Sequence, residues 1–378
     1  MKSRRSRNKF LPALVAAITA LIVLSACGGK SETPPAASGS GGGSNAGTSG
    51  KTLNLLTWEG YADPKFIKGF EDKFGVKVTA TYFGSSDELV AKLKGGGGDT
   101  FDVISPSSDV AAYLLHEGLV APINLDHVPN YANLASKLKD MKDVQQDGKV
   151  YGVPFTWGPD SLIYDADVIK TPPDSWNVFW DPQYKGKVSI WDDISNIYLI
   201  GQMMGLDATD QSKVYNMTED QLQEAKKKLI ELKPQIRKYW ASGGELNDLF
   251  SNKEVVLAVG WPLTPTTVNA SGRNLQETIP KEGITGWIDR LMIVNASKNK
   301  ELAETYINYV TDEQVMKLVA DATGYGVANL NAAKHMSAEQ AKAIHIDDME
   351  NYMKKVNFWQ EVKDRNRYNE IWNEVKAQ

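Results

Sequence analysis

Hydrophobic positions along the chain follow two periods in turn. Leu53 to Leu56 is an apolar run interrupted only by Asn54, which predicts a buried strand ending at Thr57. Asp63-Pro64 then has the make-up of a helix start, with Asp63 as N-cap and Pro64 at the first helical position. Phe66, Ile67, Phe70 and Phe74 fall on one face of that helix, and Gly75 stops it. Val76 to Phe83 alternates and is rich in β-branched and aromatic residues, a strand pattern. Gly84-Ser85-Ser86-Asp87 opens a second helix carrying Leu89, Val90 and Leu93, and Gly95 to Gly98 reads as a loop. Phe101 to Ile104 predicts a third strand, after which Asp109 or a neighbouring serine starts a helix running through Leu115. Val150 to Phe155 reads as a further strand leading into Trp157-Gly158-Pro159, a crossing between two lobes. Beyond it lie short strands around Leu162–Tyr164, Val188–Trp191, Val255–Gly260 and Leu291–Val294. A helix follows Thr218, with Leu222, Ala225, Leu229 and Leu232 on its inner face, and stops at Pro234. The segment from Ser337 to Gln378 is helical in pattern, and Ser337 with Gln340 resembles a capping box. Strands alternating with helices imply mostly parallel sheets flanked by helices, an α/β protein.

The first residues follow neither period. Lys2, Arg4, Arg5, Arg7 and Lys9 form a basic head, an apolar run extends from Leu11 to Leu24, and Leu24-Ser25-Ala26-Cys27 resembles a bacterial lipobox. Residues 1–26 therefore read as a signal peptide, too short and wrongly flanked for a membrane-spanning helix. Cys27 is the only cysteine and is the expected site of lipid attachment. The folded body can then have no internal disulfide. Residues 27–51 are rich in Gly, Ser, Ala and Pro, a composition that cannot offset chain entropy by burial, and read as a tether. Loss of the leader's five basic residues, with no acid among them, takes the net charge from −5 to −10. An acidic body argues against nucleic acid and suits a cationic small ligand.

Candidate chemistry gathers at strand ends. Trp58-Glu59-Gly60-Tyr61 follows the first strand, and ligand sites in open α/β sheets lie beyond the carboxyl ends of strands. Ser107 follows the third strand, Asp192-Asp193 and Asn196 follow Val188–Trp191, and Trp261 follows Val255–Gly260. Trp287-Ile288-Asp289-Arg290 precedes Leu291–Val294. An ammonium has donors only and needs acceptors and negative charge. Its methylenes need an apolar wall, and flat rings supply one while their faces attract cations. Catalysis finds little support. His116, His127, His335 and His345 are scattered without metal-ligand spacing. No Gly-x-Ser-x-Gly turn is present, and the body offers no cysteine nucleophile. No enzymatic function, metal or cofactor is expected. The rival from the enzyme class is a lipid-anchored glycosidase pairing Asp192-Asp193 with Glu59 or Asp289.

Over residues 52–378 the chain resembles the bacterial extracellular solute-binding proteins of the spermidine/putrescine type, receptor components of ABC importers. The resemblance rests on Trp58 to Tyr61, Pro106-Ser107-Ser108, Tyr184-Lys185-Gly186 before Asp192-Asp193, Trp261, Trp287-Ile288-Asp289, Gly324-Tyr325 with Asn329-Leu330, and Trp359-Gln360. It implies a two-lobe, type II periplasmic-binding-protein-like fold with mixed sheets flanked by helices and a ligand cleft between the lobes. Lobe 1 would take residues 52–155 and 288–326, and lobe 2 residues 156–287 and 327–378. Trp58, Tyr61, Trp261, Trp287 and Tyr325 would form an aromatic box along a polyamine such as spermidine or putrescine. Asp193 would bind one end ammonium and Asp289 an inner or second one, while Ser107 and Gln360 would add hydrogen bonds. Trp359 and Gln360 would bring part of the C-terminal segment to the cleft rim. Three positions depart from the family pattern. Asn196 stands where an acid is usual, Glu59 stands where small hydroxyl residues are common and could restore the charge, and Asp109 stands where an aromatic is frequent. Arg290 follows Asp289 directly, and strand alternation should turn it out of the cleft. A cleft-facing Arg290 would instead favour an ω-amino acid such as 4-aminobutyrate. The resemblance further implies a monomer that closes by a hinge on its ligand. It would dock on a membrane permease with its ATPase and be held to the cell membrane by lipid on Cys27, facing the periplasm or cell exterior.

Overall fold

The first apolar run opens a sheet around which half of the chain is layered. The computed structural model describes residues 51–378; the leader, Cys27 and the tether up to Gly50 lie outside the described residues. Thr52–Thr57 pairs in parallel with Lys77–Tyr82 on one side and Val103–Ile104 on the other. Helix Pro64–Phe74 links the first two of these strands. It starts as its sequence requires, with the Asp63 carboxylate accepting the Lys65 N–H at 2.8 Å. It ends at Gly75, whose φ of +65° is a left-handed conformation that glycine adopts without a Cβ clash.

The sheet has eight strands, six of them in the order Gly326–Val327, Gly152–Pro159, Ile284–Val294, Val103–Ile104, Thr52–Thr57, Lys77–Tyr82. Val120–Ala121 and Val356–Phe358 also pair with Ile284–Val294. That long strand is buried along all eleven residues and spans the sheet's centre. A second, five-stranded sheet runs Ile236–Trp240, Val188–Trp191, Leu257–Gly260, Ser161–Asp165, Leu275–Thr278. It is mixed, with parallel pairs at one end and antiparallel pairs at the other. The chain passes from the first sheet to the second through Asp160 and returns between Thr278 and Ile284. Helix Glu219–Leu232 begins with a full capping box between Thr218 and Gln221. Helix Arg365–Ala377 packs beside it; Tyr368 accepts the Met217 N–H at 2.8 Å, and the Trp372 indole donates to Asp192 at 2.8 Å. The fold is mixed α/β with two lobes, as expected.

Several elements differ from their sequence pattern. Trp287, Ile288 and Asp289 lie inside the spanning strand, which starts at Ile284. The early part is held by Gly158, Pro159 and Val356–Phe358, partners remote in sequence. Trp157-Gly158-Pro159 likewise belongs to a strand, Gly152–Pro159. The third strand keeps only Val103–Ile104. Just before it, Asp102 keeps backbone bonds to Asn54 and Val294, and its carboxylate accepts from the Asn54 N–H at 2.9 Å and the Ser297 hydroxyl at 2.6 Å. Leu93–Gly97 continues the preceding helix as a wide π-type turn. The C-terminal segment is broken: Ala338–Ala343, capped by Ser337 and Gln340, and Met349–Met353 are helical, Val356–Phe358 is a strand, and helix resumes at Arg365.

Gly326 faces Trp157 across the sheet, and a Cβ there would lie 2.2 Å from the indole Cε2. Gly326→Ala is expected to destabilise the protein by about 1–3 kcal/mol through overpacking, read as a lower midpoint in urea unfolding. An unchanged midpoint would mean that the Trp157 ring has room to move away.

Candidate ligand-binding site

Asp289 is 2% exposed, in the middle of the spanning strand. Its carboxylate accepts from the hydroxyls of Ser107 and Tyr61. Ser107 stands at the N-cap of helix Ser108–His116 but makes no capping hydrogen bond; its hydroxyl goes to Asp289. A backbone bridge between Ser107 and Asp289 fixes the pair. The Tyr61 oxygen also meets the Thr156 hydroxyl. Burial pushes the Asp289 carboxyl up to about 7, against the pull of the Ser107 and Tyr61 hydrogen bonds. Burial, and then the Asp289 charge, push the Tyr61 phenol well above its ordinary range, so it remains a donor. Among the described residues no Lys, Arg or His pairs with Asp289.

Around this carboxylate lies a tight cavity of about 10 Å3 lined by Trp58, Tyr61, Ser107, Trp191, Trp261, Trp287, Asp289, Tyr325 and Trp359. Alternation along the spanning strand puts Trp287 and Asp289 on one face. Trp287 lies across Gly158, where a Cβ would come within 2.8 Å of the ring, so the missing side chain lets the indole sit flat on its neighbour strand. Tyr325 follows the left-handed Gly324 at a helix end and meets Trp287 edge-on at 4.6 Å. Trp58, just past the first strand, contacts Trp261 at 5.8 Å and Trp191 at 6.0 Å. Trp359 is delivered by strand Val356–Phe358, its backbone N–H bonded to the Gly286 carbonyl at 2.8 Å, and its ring lies near-parallel to Trp191 at 6.0 Å. Two lining indoles are hydrogen-bonded within the protein: Trp191 donates to the Gly84 carbonyl at 2.9 Å and Trp261 to Asp160 at 3.2 Å. A carboxylate enclosed by seven rings can hold a cation.

Of the residues singled out in the sequence, Trp58, Tyr61, Ser107, Trp261, Trp287, Asp289 and Tyr325 come together on this cavity. The others face protein groups or another depression. Glu59 reaches the Gly244 N–H at 2.7 Å, at the start of helix Gly243–Ser251. Asp193, 5% exposed, accepts the Ser195 N–H at 2.8 Å. Burial pushes the Asp193 carboxyl up to about 7, opposed by the Arg365 charge. The Asn196 amide turns back to the carbonyls of Trp191 at 2.6 Å and Asp193 at 2.7 Å. Gln360 lines a separate depression with Ser108 and Met141. Arg290 turns to the opposite face and pairs with Asp143 at 2.9 Å, as strand alternation requires.

Two residues escaped the sequence reading. Trp191 is the last residue of its strand, so the strand-end rule that picked out Trp58 and Trp261 could have found it. Asp160, 4% exposed at the crossing between sheets, accepts from the Trp261 indole and from the Thr285 hydroxyl at 3.1 Å. Burial pushes its carboxyl up to about 8.

The family profile described as bacterial extracellular solute-binding protein matches residues 65–346. The chain is 28% identical over 330 residues to the spermidine/putrescine-binding periplasmic protein of Salmonella typhimurium, covering 86% of this chain and 92% of that one. It is 27% identical over 307 residues to a putrescine-binding periplasmic protein of Escherichia coli, covering 76% and 81%. Among solved structures, a Listeria monocytogenes protein assigned to spermidine/putrescine ABC transport superposes with a TM-score of 0.76 at 26% identity, covering 86% of this chain and 98% of that one.

The three buried acids give the folded protein a distinctive pH response. A free Asp titrates near about 3.9, whereas Asp289, Asp193 and Asp160 hold their protons up to about 7, 7 and 8. Between these limits the folded chain binds more protons than the unfolded one, so stability falls as pH rises across the window and levels off above it. Ligand-free protein is expected to show a lower Tm at pH 8 than at pH 5, with Asp289→Asn and Asp160→Asn each flattening the slope. A Tm that climbs steadily over that range would show these acids ionised throughout.

Proposed function

The chain belongs to the bacterial extracellular solute-binding proteins, and we propose that it is the receptor component of an ABC importer whose solute is an amine cation of the polyamine kind. The observation that carries this reading is the Asp289 carboxylate, buried among seven aromatic rings with hydroxyl donors and, among the described residues, no paired cation. An ammonium entering the cavity would donate to Asp289, and its methylenes would lie against the indoles. Ring faces add cation–π attraction of about 0.5–2 kcal/mol each. The names of the relatives from Salmonella and Escherichia coli point to the same class of solute. The charge belongs to the first sheet, with Tyr61, Ser107 and Asp289, while Trp191 and Trp261 come from the second. A ligand touching both would favour the closed form, the basis of a hinged trap. Closure would join the lobe built on the first sheet to the lobe built on the second. Lipid on Cys27 would hold this monomeric receptor at the membrane beside its permease and ATPase. The family is one of binding proteins and not of enzymes. Among the described residues Asp289 is the one carboxylate lining the cavity, which suits that reading, because a glycosidase needs a pair of carboxyls flanking the bond it breaks.

Isothermal titration of the leader-free protein with putrescine, spermidine, spermine and 4-aminobutyrate, with maltose as control, tests the reading. At least one amine is expected to bind, and Asp289→Asn to weaken it by about 100-fold or more, since unpairing a buried charge costs about 3–5 kcal/mol. If no amine binds, the receptor reading for amines fails.

Affinity should also rise with pH up to about 7, where Asp289 loses its proton, while the amine stays charged. A titration series from pH 5 to 8 showing constant affinity would mean that the carboxylate is not the ammonium's partner.

A further inference from the structure

One arginine and two acids meet where the lobes touch, away from the solute cavity. Arg365 opens helix Arg365–Ala377 on the second-sheet side, which Tyr368 and Trp372 tie to Met217 and Asp192. Its guanidinium grips Asp87 with two bonds of 2.8 and 3.0 Å and reaches Asp109 at 2.7 Å. Asp87 lies in helix Ser86–Lys92 and Asp109 in helix Ser108–His116, both on the first-sheet side. The Ser86 hydroxyl donates to the other Asp109 oxygen at 2.9 Å, and the Asn369 amide donates to Asp87 at 3.2 Å. The amine reading gives none of these groups a part.

The cluster borders its own depression, which Glu361, Lys363 and Asp364 also line, and among the described residues that depression shares no lining residue with the cavity around Asp289. Its contacts are made by the protein alone, so they favour closure with or without solute. The Arg365 side chain is 16% exposed and that of Asp109 2%, so salt screens the pair little. A two-pronged guanidinium–carboxylate contact is also among the stronger hydrogen-bonded pairs. The backbone approaches closely at the same gap. The Trp191 indole donates to the Gly84 carbonyl at 2.9 Å, and a Cβ on Gly84 would lie 2.0 Å from the Ala241 carbonyl oxygen. Meanwhile the solute cavity, at about 10 Å3, has room for about one water. It must widen before it admits a solute of several heavy atoms. Its walls come from both sheets, so parting the lobes widens it, and the same motion breaks the Arg365 contacts.

We propose that Arg365, Asp87 and Asp109 form a latch that holds the two lobes together whether or not solute is present, so that opening the latch gates solute entry. A trap drawn shut by its solute alone would rest open between captures. Here the lobes rest shut and part in brief excursions. The latch acts on the lobes and not on the choice of solute, so it goes beyond the amine-receptor reading and stands or falls separately from it.

The test is small-angle X-ray scattering of the leader-free protein without solute, as the wild type and as two variants that cut the latch from opposite lobes. One is Arg365→Gln; the other combines Asp87→Asn with Asp109→Asn. Far-UV circular dichroism checks that each is folded, and either one alone decides the outcome if the other is not. Each folded variant is expected to have a larger radius of gyration than the wild type. Wild-type dimensions in a folded variant overturn the inference, because the lobes then rest in the same place without the latch. Stopped-flow association of putrescine and spermidine gives a second readout. The association rate constant is expected to rise about tenfold in both variants, the factor that about 1.4 kcal/mol of latch energy supplies. Electrostatic steering would instead split them, speeding a cation when Arg365 is lost and slowing it when two acids are lost. Unchanged rates, or shifts of opposite sign, overturn the gating role. If neither amine binds any form, the amine reading fails while scattering still decides the latch.

Discussion

A carboxylate withdrawn from water without a counterion is the constraint on which the rest of this structure turns. Asp289 meets only hydroxyls, and the surroundings are arranged to keep those hydroxyls in place. Ser107 gives up its capping bond to serve it. Tyr61 is braced by Thr156, and its phenol keeps its proton because burial and the neighbouring acid both oppose ionisation. The next residue along, Arg290, would quench the charge if it shared the same face. Strand geometry sends it to Asp143 on the other side.

The two sheets contribute different things to the cavity. The first brings the acid, its hydroxyls and the rings of Trp58, Tyr61, Trp287, Tyr325 and Trp359; the second brings neutral indoles. Contacts across the gap hold the two in register. Glu59 sits at the start of a second-sheet helix, the Trp191 indole donates to Gly84, and Arg365 joins Asp87 and Asp109. Glu59 and Arg365 span both lobes without lining the cavity, whereas Trp191 both bridges the lobes and lines it.

Much of this was legible because its signals are local. Asp63, Pro64 and Gly75 delimit one helix within a dozen residues, and Thr218 opens another by contacts three residues away. Trp58, Trp261, Trp287 and Asp289 stood out through composition near strands and through the resemblance. What stayed hidden depends on distant partners. The spanning strand begins at Ile284 because Val356–Phe358 and Gly158-Pro159 lie beside it, and no window around Gly283 to Trp287 contains them. The break in the C-terminal helical pattern has the same cause. Asp193, Asn196 and Glu59 show a different limit. A position after a strand says that a polar group is near the cleft, but the choice between solute and backbone is made by a rotation of one side chain. Asp160 was masked by the Gly-Pro pair before it and the apolar run after it.

The placement of the spanning strand bears on how such a chain can be made. The centre of the first sheet is built from residues 284–294, so residues 52 to 159 have no complete sheet to join until most of the chain has emerged. Long-range pairing of this kind is slow to nucleate. The first sheet therefore lacks its central strand until residue 294 is available, which ties the folding of the leading lobe to the later part of the chain.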